Sequence, residues 1–166
     1  MKLRFTFINH QEPGILASLL SRTYADLVSF DPLHWKPEVT KWIEFDCEAF
    51  DNLSTVGACV FLSWYKRKLV GFGSFDPRQR PLFGIIGHNC ILPEFRRQGF
   101  GKQQVAEVLM RLIGLGIQTA KVTTNDHSFF VPAQKMYESC GFQEISREPW
   151  KGDTMQSLIH YQKRIG

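Results

Sequence analysis

The sequence has few cysteines, and their positions exclude the roles that paired cysteines most often have. The chain of 166 residues contains only four, which lie far apart: Cys47, Cys59, Cys90 and Cys140. Since none of them forms a C-x-x-C pair, the sequence indicates neither a zinc site nor a disulfide framework. Free, buried thiols are the expected state, and they favour a reducing compartment. We therefore expect a cytoplasmic protein that holds no metal ion.

Long hydrophobic runs and a strong charge of one sign are also missing. No apolar stretch approaches the length of a membrane span, and residues 1–7 alternate in polarity instead of resembling a signal peptide. The 20 Lys and Arg residues against 16 Asp and Glu residues give a net charge of only +4, and no aromatic stripe interleaves the basic residues. We expect neither a membrane nor a nucleic acid as a partner, whereas a small phosphorylated ligand suits this charge.

What is present is the composition of one globular domain, with 43% hydrophobic and 22% charged residues. A chain of this length buries one core without needing a second large domain. Alternating apolar residues predict strands at 3–7, 58–65, 69–75, 83–92, 120–124, 142–147 and 155–162. Apolar residues at helical spacing predict helices at 11–30, 37–50, 101–113 and 132–140. We expect a single α/β domain over residues 1–166, with a mixed, mostly antiparallel sheet flanked by helices.

The most informative segment is Cys90–Lys102, where a predicted strand enters a basic turn that opens a helix. The start of a helix leaves backbone N–H groups unpaired and carries partial positive charge, so it attracts anions. Gly99 and Gly101 carry no Cβ atoms that would hold phosphate oxygens away. Two other phosphate-binding loops are excluded, because a Walker A loop needs Ser or Thr at Gln103 and a dinucleotide fingerprint needs glycine at Gln104.

This turn resembles the signature of the GNAT superfamily of N-acetyltransferases, R/Q-x-x-G-x-G/A, which begins the helix after the fourth strand of that fold. The resemblance implies a GNAT-like fold and acetyl-CoA as cosubstrate. It implies that Ile91 and Leu92 contact pantetheine through backbone groups. It also implies that one run of residues holds the pyrophosphate: Arg96, Arg97, Gln98, Gly99, Phe100, Gly101 and Lys102.

A second block, Ala133–Phe142, resembles the A-x-x-x-Y-x-x-x-G-F pattern of the same family. The resemblance implies that the phenol of Tyr137 protonates the departing thiolate, although a Tyr on a helix also suits a packing role. The chain departs from the family at Phe130, where an Asn is frequent. Asn125 is therefore the candidate for the side-chain contact with CoA.

The proton acceptor for the amine is less clearly indicated. An alkylammonium has a pKa of about 10.4, so a base or a chain of waters must remove its proton before attack. Some family members carry Glu or His at the positions that Ile85 and Gly87 occupy on the fourth predicted strand. His88 follows on the opposite face by alternation. It is the candidate base, although a His in a strand is more often structural.

The acceptor side is expected near two loops that resemble the substrate loops of the family. Residues 31–37 are predicted to form a loop with exposed aromatics, and residues 150–153 a second one. Their carboxylates and aromatic rings suit a cationic amine, although solvated loops explain them equally well. The residues concerned are Asp31, His34, Trp35, Glu148, Trp150 and Asp153.

The sequence as a whole predicts an N-acetyltransferase that moves an acetyl group from acetyl-CoA to a primary amine of a small molecule. Two alternatives stay open. The acceptor could be a protein lysine or N-terminus, or the chain could bind acyl-CoA without catalysis. The oligomeric state is also open, with a homodimer among the options.

Overall fold

In the computed structural model, which describes residues 1–166 apart from the side chain of Thr154, seven strands form one sheet in the order β1-β2-β3-β4-β5-β7-β6. The strands are β1 Arg4–Thr6, β2 Val60–Tyr65, β3 Lys68–Asp76, β4 Phe83–Ile91, β5 Thr119–Asn125, β6 Gln143–Trp150 and β7 Asp153–Arg164. The helices are α1 Ile15–Thr23, α2 Ala25–Phe30, α3 Pro32–Asp51, α4 Phe100–Gly114 and α5 Val131–Ser139.

The sheet is mixed and mostly antiparallel, as the sequence predicts. Strand β2 pairs antiparallel with β1 and β3, and β7 pairs antiparallel with β5 and β6. The parallel pair is β4 with β5, where Phe83–Ile86 lies beside Thr119–Val122. The fold class is therefore confirmed.

The chain divides into two compact units. Unit 1 comprises residues 1–74 and 88–104, and unit 2 comprises residues 75–87 and 105–166. The core of unit 1 contains Leu16, Leu19 and Leu20, whose spacing places them on one face of α1. Trp42 of α3 and Phe72 of β3 belong to the same cluster.

Helix α1 begins at a cap supplied by a distant side chain. The carboxylate of Asp46 in α3 accepts hydrogen bonds from the amides of Gly14, Leu16 and Ala17 at 2.6, 2.8 and 3.2 Å. Only 2% of Asp46 is exposed. The carboxylate oxygens therefore satisfy the free amides at the start of α1. The negative charge also interacts favourably with the positive end of that helix.

Unit 2 has its own core, in which β5 contributes one face. Ala120 and Val122 are buried, whereas Lys121 and Thr123 between and after them are not. A Cβ atom on Gly84 of β4 would lie 2.6 Å from the side chain of Leu112 in α4, so glycine permits this close packing. The alternation along β5 is what a strand with one buried face requires.

One loop prediction was wrong. Residues 32–37 begin helix α3, and only 8% of Trp35 is exposed, so this ring is not an open aromatic surface. Asp31 caps the helix, because its carboxylate accepts a hydrogen bond from the amide of His34 at 3.4 Å, and Pro32 occupies the first turn. The helix therefore begins at Pro32, and Pro37 lies inside it without ending it.

Two other boundaries differ from the predictions. The predicted helix at residues 11–30 is divided, since α1 ends at Thr23 and α2 begins at Ala25, with Tyr24 in a non-helical conformation between them. The predicted loop at residues 150–153 is shorter, because Trp150 and Asp153 belong to paired strands. Lys151 and Gly152 form the turn with φ values of 52° and 72°.

Gly71 of β3 lies directly against the backbone of β4. A Cβ atom there would overlap the carbonyl oxygen of Cys90, a main-chain atom that cannot move without shifting the strand. We expect Gly71→Ala to lower the free energy of unfolding by about 3 kcal/mol or more, as measured by urea denaturation. Gly114→Ala is the control, since a Cβ atom at Gly114 meets no atom within 4 Å. An unchanged midpoint for Gly71→Ala would contradict this close approach.

Candidate functional site

The segment between β4 and α4 makes a sharp turn that opens the helix. A short 3₁₀ helix, Pro93–Phe95, follows the strand, and α4 begins at Phe100. Between them Arg97 and Gly99 adopt left-handed φ values of 58° and 78°. A non-glycine residue in this region is uncommon, and strained residues of this kind cluster at functional sites. Gly99 meets the same requirement without a Cβ penalty.

The start of α4 is suited to bind an anion. The amide of Gln103 donates to the carbonyl of Gly99 at 3.3 Å, so the amides of Phe100, Gly101 and Lys102 precede the first intrahelical bond. The first turn contains no acidic residue. A Cβ atom on Gly99 would meet no atom within 4 Å, which leaves open space over the turn. These features together form a site for a phosphate group.

Side chains from distant parts of unit 1 hold the turn in place. The guanidinium of Arg96 donates to the carbonyl oxygens of Thr23 at 2.6 Å and Ile91 at 3.4 Å. Phe100 is 1% exposed and belongs to a core cluster with Leu3. Arg97 and Lys102 are exposed, so their charges stay available to a ligand, whereas the Arg96 side chain is already engaged.

Gln103 connects the start of α4 to the first residues of the chain. Its side-chain oxygen accepts a hydrogen bond from the amide of Leu3, and its side-chain nitrogen donates to the carbonyl of Met1, both at 2.9 Å. Gln104, the next residue, is buried and donates to the hydroxyl of Ser63 at 2.7 Å. The first helical turn is therefore fixed by side-chain contacts on two sides.

The two residues assigned to pantetheine differ in how their backbones are used. The amide of Leu92 donates to the carbonyl of Val70 at 2.8 Å, and its own carbonyl accepts from the amide of Phe95 at 2.9 Å. A contact of Leu92 with pantetheine would therefore use the second lone pair of its carbonyl oxygen. Ile91 is half-buried at the end of β4.

His88 lies in an apolar part of unit 1. Its ring centroid is 4.7 Å from that of Phe45 and 5.9 Å from that of Phe72, and its amide donates to the hydroxyl of Ser74 at 2.8 Å. Burial lowers the pKa of His88 from 6.5 to about 4, against a small opposing effect of the charge of Glu38. The imidazole is therefore neutral at pH 7. This environment is the one expected for a structural histidine.

The half-buried, apolar position of His88 should make stability depend on pH. The unfolded chain protonates His88 near pH 6.5 and the folded chain only near pH 4, so its contribution is complete above pH 6.5 and is lost as the pH falls toward 4. We expect the wild type to lose about 2 kcal/mol more than His88→Gln between about pH 7.5 and pH 5. Urea denaturation at both pH values measures this difference. His10→Gln, an exposed position, should behave as the wild type, and equal losses in all three proteins would refute the prediction.

In unit 2, Asn125 is the last residue of β5, and of its two side-chain polar atoms the oxygen is hydrogen-bonded and the nitrogen is not. Its side-chain oxygen accepts from the amide of His127 at 2.7 Å, and its carbonyl accepts from the side chain of Gln134 at 3.0 Å. Only 3% of Asn125 is exposed, and its Nδ2 atom has no hydrogen-bond partner among the described residues. A buried donor without an acceptor is costly unless a ligand or water satisfies it.

Tyr137, also in unit 2, is fixed by the end of α5. Gly141 has a left-handed φ of 85°, and the amide of Phe142 returns to the carbonyl of Tyr137 at 3.1 Å. The ring centroid of Tyr137 is 5.8 Å from that of Phe142 and 6.3 Å from that of Tyr161. Tyr137 is 5% exposed. The pattern A-x-x-x-Y-x-x-x-G-F therefore corresponds to the end of a helix, where the Phe that follows the Gly packs against the Tyr of the helix.

Within each unit, predicted acceptor residues already have contacts with other residues of the protein. In unit 1, Nδ1 of His34 is 2.9 Å from Oδ1 of Asp31. In unit 2, Nζ of Lys151 lies 4.4 Å from the ring centroid of Trp150, so a cation of the protein already covers that ring. The carboxylate of Asp153 accepts a hydrogen bond from the amide of Met155 at 2.7 Å.

Sequence reasoning missed a hydrogen-bonded group on three strands of unit 2. Nδ1 of His160 in β7 is 2.8 Å from the hydroxyl of Thr123 in β5, and its Nε2 is 3.3 Å from Oε1 of Glu148 in β6. Thr123 and His160 are direct partners in the sheet register. The alternation of β5 assigns Thr123 to the polar face, but no local pattern could reveal its partner.

Two properties of the described residues limit the kinds of site present. Among them, no group of three or more His, Cys, Asp or Glu residues is placed to hold a metal ion. None of the described helices combines the length and the apolar character needed to cross a membrane.

Comparisons with known proteins agree with this description of the fold. The family model described as acetyltransferase (GNAT) family matches residues 21–142, a range that includes the turn and the whole of the second motif. No curated protein matches the chain significantly.

Solved structures of the same fold are numerous. A protein from Desulfovibrio desulfuricans, assigned to the GNAT family of acetyltransferases, superposes with a TM-score of 0.79 at 15% identity over 99% of this chain and 100% of its own. The Bacillus subtilis acetyltransferase in complex with CoA gives 0.64 at 17% identity, over 99% and 100%. A Salmonella typhimurium protein assigned as an acetyltransferase, with its cofactor acetyl-CoA, gives 0.66 at 13% identity, over 100% and 95%.

Proposed function

Because the chain belongs to the GNAT acetyltransferase family, we propose that residues 1–166 act as one domain that transfers the acetyl group of acetyl-CoA to a primary amine of a small molecule. The turn from Arg96 to Lys102 carries this proposal. It combines helix amides that precede the first intrahelical bond, two exposed cations and open space over Gly99. A pyrophosphate requires these three properties, since it brings negative charge and many hydrogen-bond acceptors.

Unit 2 offers a second feature that suits CoA. The pantetheine arm of CoA carries amide carbonyls, which are hydrogen-bond acceptors. The buried Nδ2 of Asn125 is a donor without a protein partner among the described residues. In the proposed complex this donor meets a carbonyl of the cofactor. In unit 1, Ile91 and Leu92 are proposed to contact pantetheine through backbone groups.

Acetyl-CoA supplies a thioester, and in the proposed reaction the neutral amine attacks its carbonyl carbon. A C–N bond forms, the C–S bond breaks, and the electron pair of that bond leaves with the sulfur. The phenol of Tyr137 gives its proton to the departing thiolate. The amine nitrogen must lose one proton in return.

His88 is the side chain proposed to receive that proton, and its environment limits how it can do so. With a pKa of about 4, its imidazolium is more acidic than an ordinary one and does not keep the proton at pH 7. In the proposed mechanism His88 holds the proton only transiently, water carries it to solvent, and a proton from solvent then restores the phenol of Tyr137. The reaction therefore depends on the fraction of amine that is already neutral, which increases with pH.

Release of free thiol from acetyl-CoA tests the proposal directly. The purified protein is incubated with acetyl-CoA and panels of arylalkylamines, diamines, amino acids, aminoglycosides and lysine-containing peptides, and the thiol is followed with a chromogenic disulfide. We expect turnover with at least one small primary amine and none with the corresponding tertiary amines.

Each alternative has its own result in this screen. Turnover with peptides alone would assign a protein lysine or N-terminus as acceptor. Binding of acetyl-CoA without thiol release from any panel would indicate a binding module. Absence of binding would refute the proposed cofactor.

The cytoplasm remains the proposed location, because Cys47, Cys59, Cys90 and Cys140 are free thiols.

A further inference from the structure

A threonine, a histidine and a glutamate lie in contact on one face of the sheet in unit 2. Nδ1 of His160 is 2.8 Å from Oγ1 of Thr123, and Nε2 of His160 is 3.3 Å from Oε1 of Glu148. The residues belong to β5, β7 and β6, so three strands hold them in place. A hydroxyl, an imidazole and a carboxylate in this order can pass a proton from one to the next. We call these residues the Thr–His–Glu group.

The hydrogen bonds of the group indicate which nitrogen of His160 carries a proton. A carboxylate only accepts hydrogen bonds, so Nε2 donates to Glu148. In a neutral imidazole Nδ1 is then the acceptor, and the hydroxyl of Thr123 donates to it. The oxygen of Thr123 retains lone pairs for a donor outside the protein. Because Thr123 is exposed, a ligand can reach this oxygen.

The charges around the group favour an ammonium ion as that ligand. Glu148 supplies negative charge, and 60% of its side chain is exposed. Lys121 shares the face with Thr123, but its Nζ lies 3.9 Å from the ring centroid of Phe83, which lies beside the first residue of β5. The lysine side chain therefore extends away from Thr123. Arg164, near the end of β7, donates to the carbonyl of the last residue at 3.1 Å.

The proposed position of the cofactor brings a thioester to the same face of β5. Asn125 follows Thr123 by two residues, so the two side chains leave the strand on one side, about 7 Å apart. The Nδ2 atom of Asn125 is the donor proposed for a carbonyl of pantetheine. Two methylene groups and the sulfur atom separate the nearer pantetheine amide from the acetyl group. An amine bound at Thr123 is therefore within reach of the acetyl carbon.

A primary alkylamine must lose two protons in the complete reaction, one before its attack and one after it. With a pKa of about 10.4, only roughly one alkylamine molecule in 2,500 is neutral at pH 7. The proposed function assigns the second proton to His88 and takes the neutral amine from solution. The first proton therefore has no assigned acceptor in the protein.

We propose, on the basis of the function proposed above, that the Thr–His–Glu group binds the ammonium form of the acceptor and removes this first proton. The ammonium donates to Oγ1 of Thr123 and faces the carboxylate of Glu148. One N–H bond of the ammonium breaks as its proton passes to Oγ1, and the hydroxyl proton of Thr123 passes to Nδ1 of His160. The amine is then neutral, and the imidazolium is paired with Glu148. The imidazolium finally gives its proton to solvent, so the group increases the neutral fraction of the bound amine.

The pH profile of kcat/KM tests this role, with the alkylamine that the wild type acetylates fastest and with saturating acetyl-CoA. For the wild type we expect a plateau between about pH 7.5 and 9.5, because the amine loses its proton at the site. His160→Gln and Thr123→Val should lose about 100-fold at pH 7.5. They should regain about tenfold per pH unit, because they use only the amine that is neutral in solution.

Two further variants separate the proton transfer from a structural role of these strands. Thr123→Ser retains the hydroxyl and should keep the profile of the wild type. Gln162→Ala changes an exposed side chain two residues after His160, on the same face of β7, and should also keep that profile. A merely structural loss in His160→Gln would lower kcat/KM by the same factor at every pH.

The profile of the wild type alone keeps the proposal testable if the variants fold poorly. An increase of about tenfold per pH unit from pH 7.5 to 9.5 in the wild type would overturn it, because the neutral amine would then come from solution. Parallel profiles of the wild type and His160→Gln would overturn it as well. Either result leaves the acetyltransferase function standing. Absence of thiol release with every amine would instead overturn the proposed function, and this proposal with it.

Discussion

Tyr137→Phe should lower kcat by roughly 10²- to 10⁴-fold and leave the affinity for acetyl-CoA nearly unchanged, because it removes a positioned acid and keeps the ring. The ring packs against Phe142 and Tyr161, and the aromatic contacts survive the change. Steady-state kinetics and calorimetry on one preparation measure both quantities. A purely structural tyrosine would give the reverse result, with about 1 kcal/mol lost from the free energy of unfolding and near-normal turnover in the folded fraction.

Tyr161→Phe is the matched control for this change. Tyr161 belongs to the same group of rings, is 1% exposed, and its hydroxyl donates to Oε1 of Glu138 at 3.4 Å. Its replacement should reduce stability by a similar small amount without a loss of kcat. Normal turnover in Tyr137→Phe would remove Tyr137 from the proposed mechanism, whatever happens in Tyr161→Phe.

Gly99→Glu should abolish the stabilisation that acetyl-CoA gives the wild type. A ligand that binds only the folded state at 100 times its Kd adds about 2.7 kcal/mol, which raises the Tm of a protein of this size by roughly 5–10 °C. A Glu side chain at Gly99 would enter the open space over the turn and repel the pyrophosphate. Differential scanning fluorimetry with and without acetyl-CoA measures the effect.

A loss of binding in Gly99→Glu must be separated from simple strain. Gly116 provides the control, because it follows α4 at the opposite end, has a φ of 75° compared with 78° for Gly99, and also has open space at its Cβ position. Gly116→Glu therefore introduces the same charge and similar backbone strain away from the turn. It should lower the Tm without ligand and retain the full shift with acetyl-CoA. A retained shift in folded Gly99→Glu would refute the assignment of the turn.

What the sequence could predict depended on how local the signal was. The turn before α4 is encoded within a few neighbouring residues, so its glycines and helix start were evident. The burial of Trp35 was not, because two prolines indicated a loop while the cap at Asp31 decided in favour of a helix. The contact between Thr123 and His160 depends on strand register, which residues 37 positions apart do not reveal.

Long-range contacts of this kind also engage side chains of the candidate site. The sequence identified Arg96 as a charge for the pyrophosphate, but its guanidinium donates to the carbonyl of Thr23, 73 residues earlier. The environment of His88 likewise comes from Phe45 on a helix far away in sequence. Motifs therefore located the candidate residues, whereas tertiary packing determined which of their side chains are free to act.

The contact of Gln103 with Met1 and Leu3 imposes an order on the folding of this protein during its synthesis. Leu3 and Gln103 are 100 residues apart, and Gln103 belongs to the piece that completes unit 1 after residues 75–87 have been made. At about 5–20 residues per second, a ribosome needs roughly 5–20 s to add that length of chain. During this interval the backbone of Leu3 has no native partner in Gln103. The beginning of the chain must wait for α4 to emerge, so the same event fixes its first residues and the start of the phosphate-binding helix.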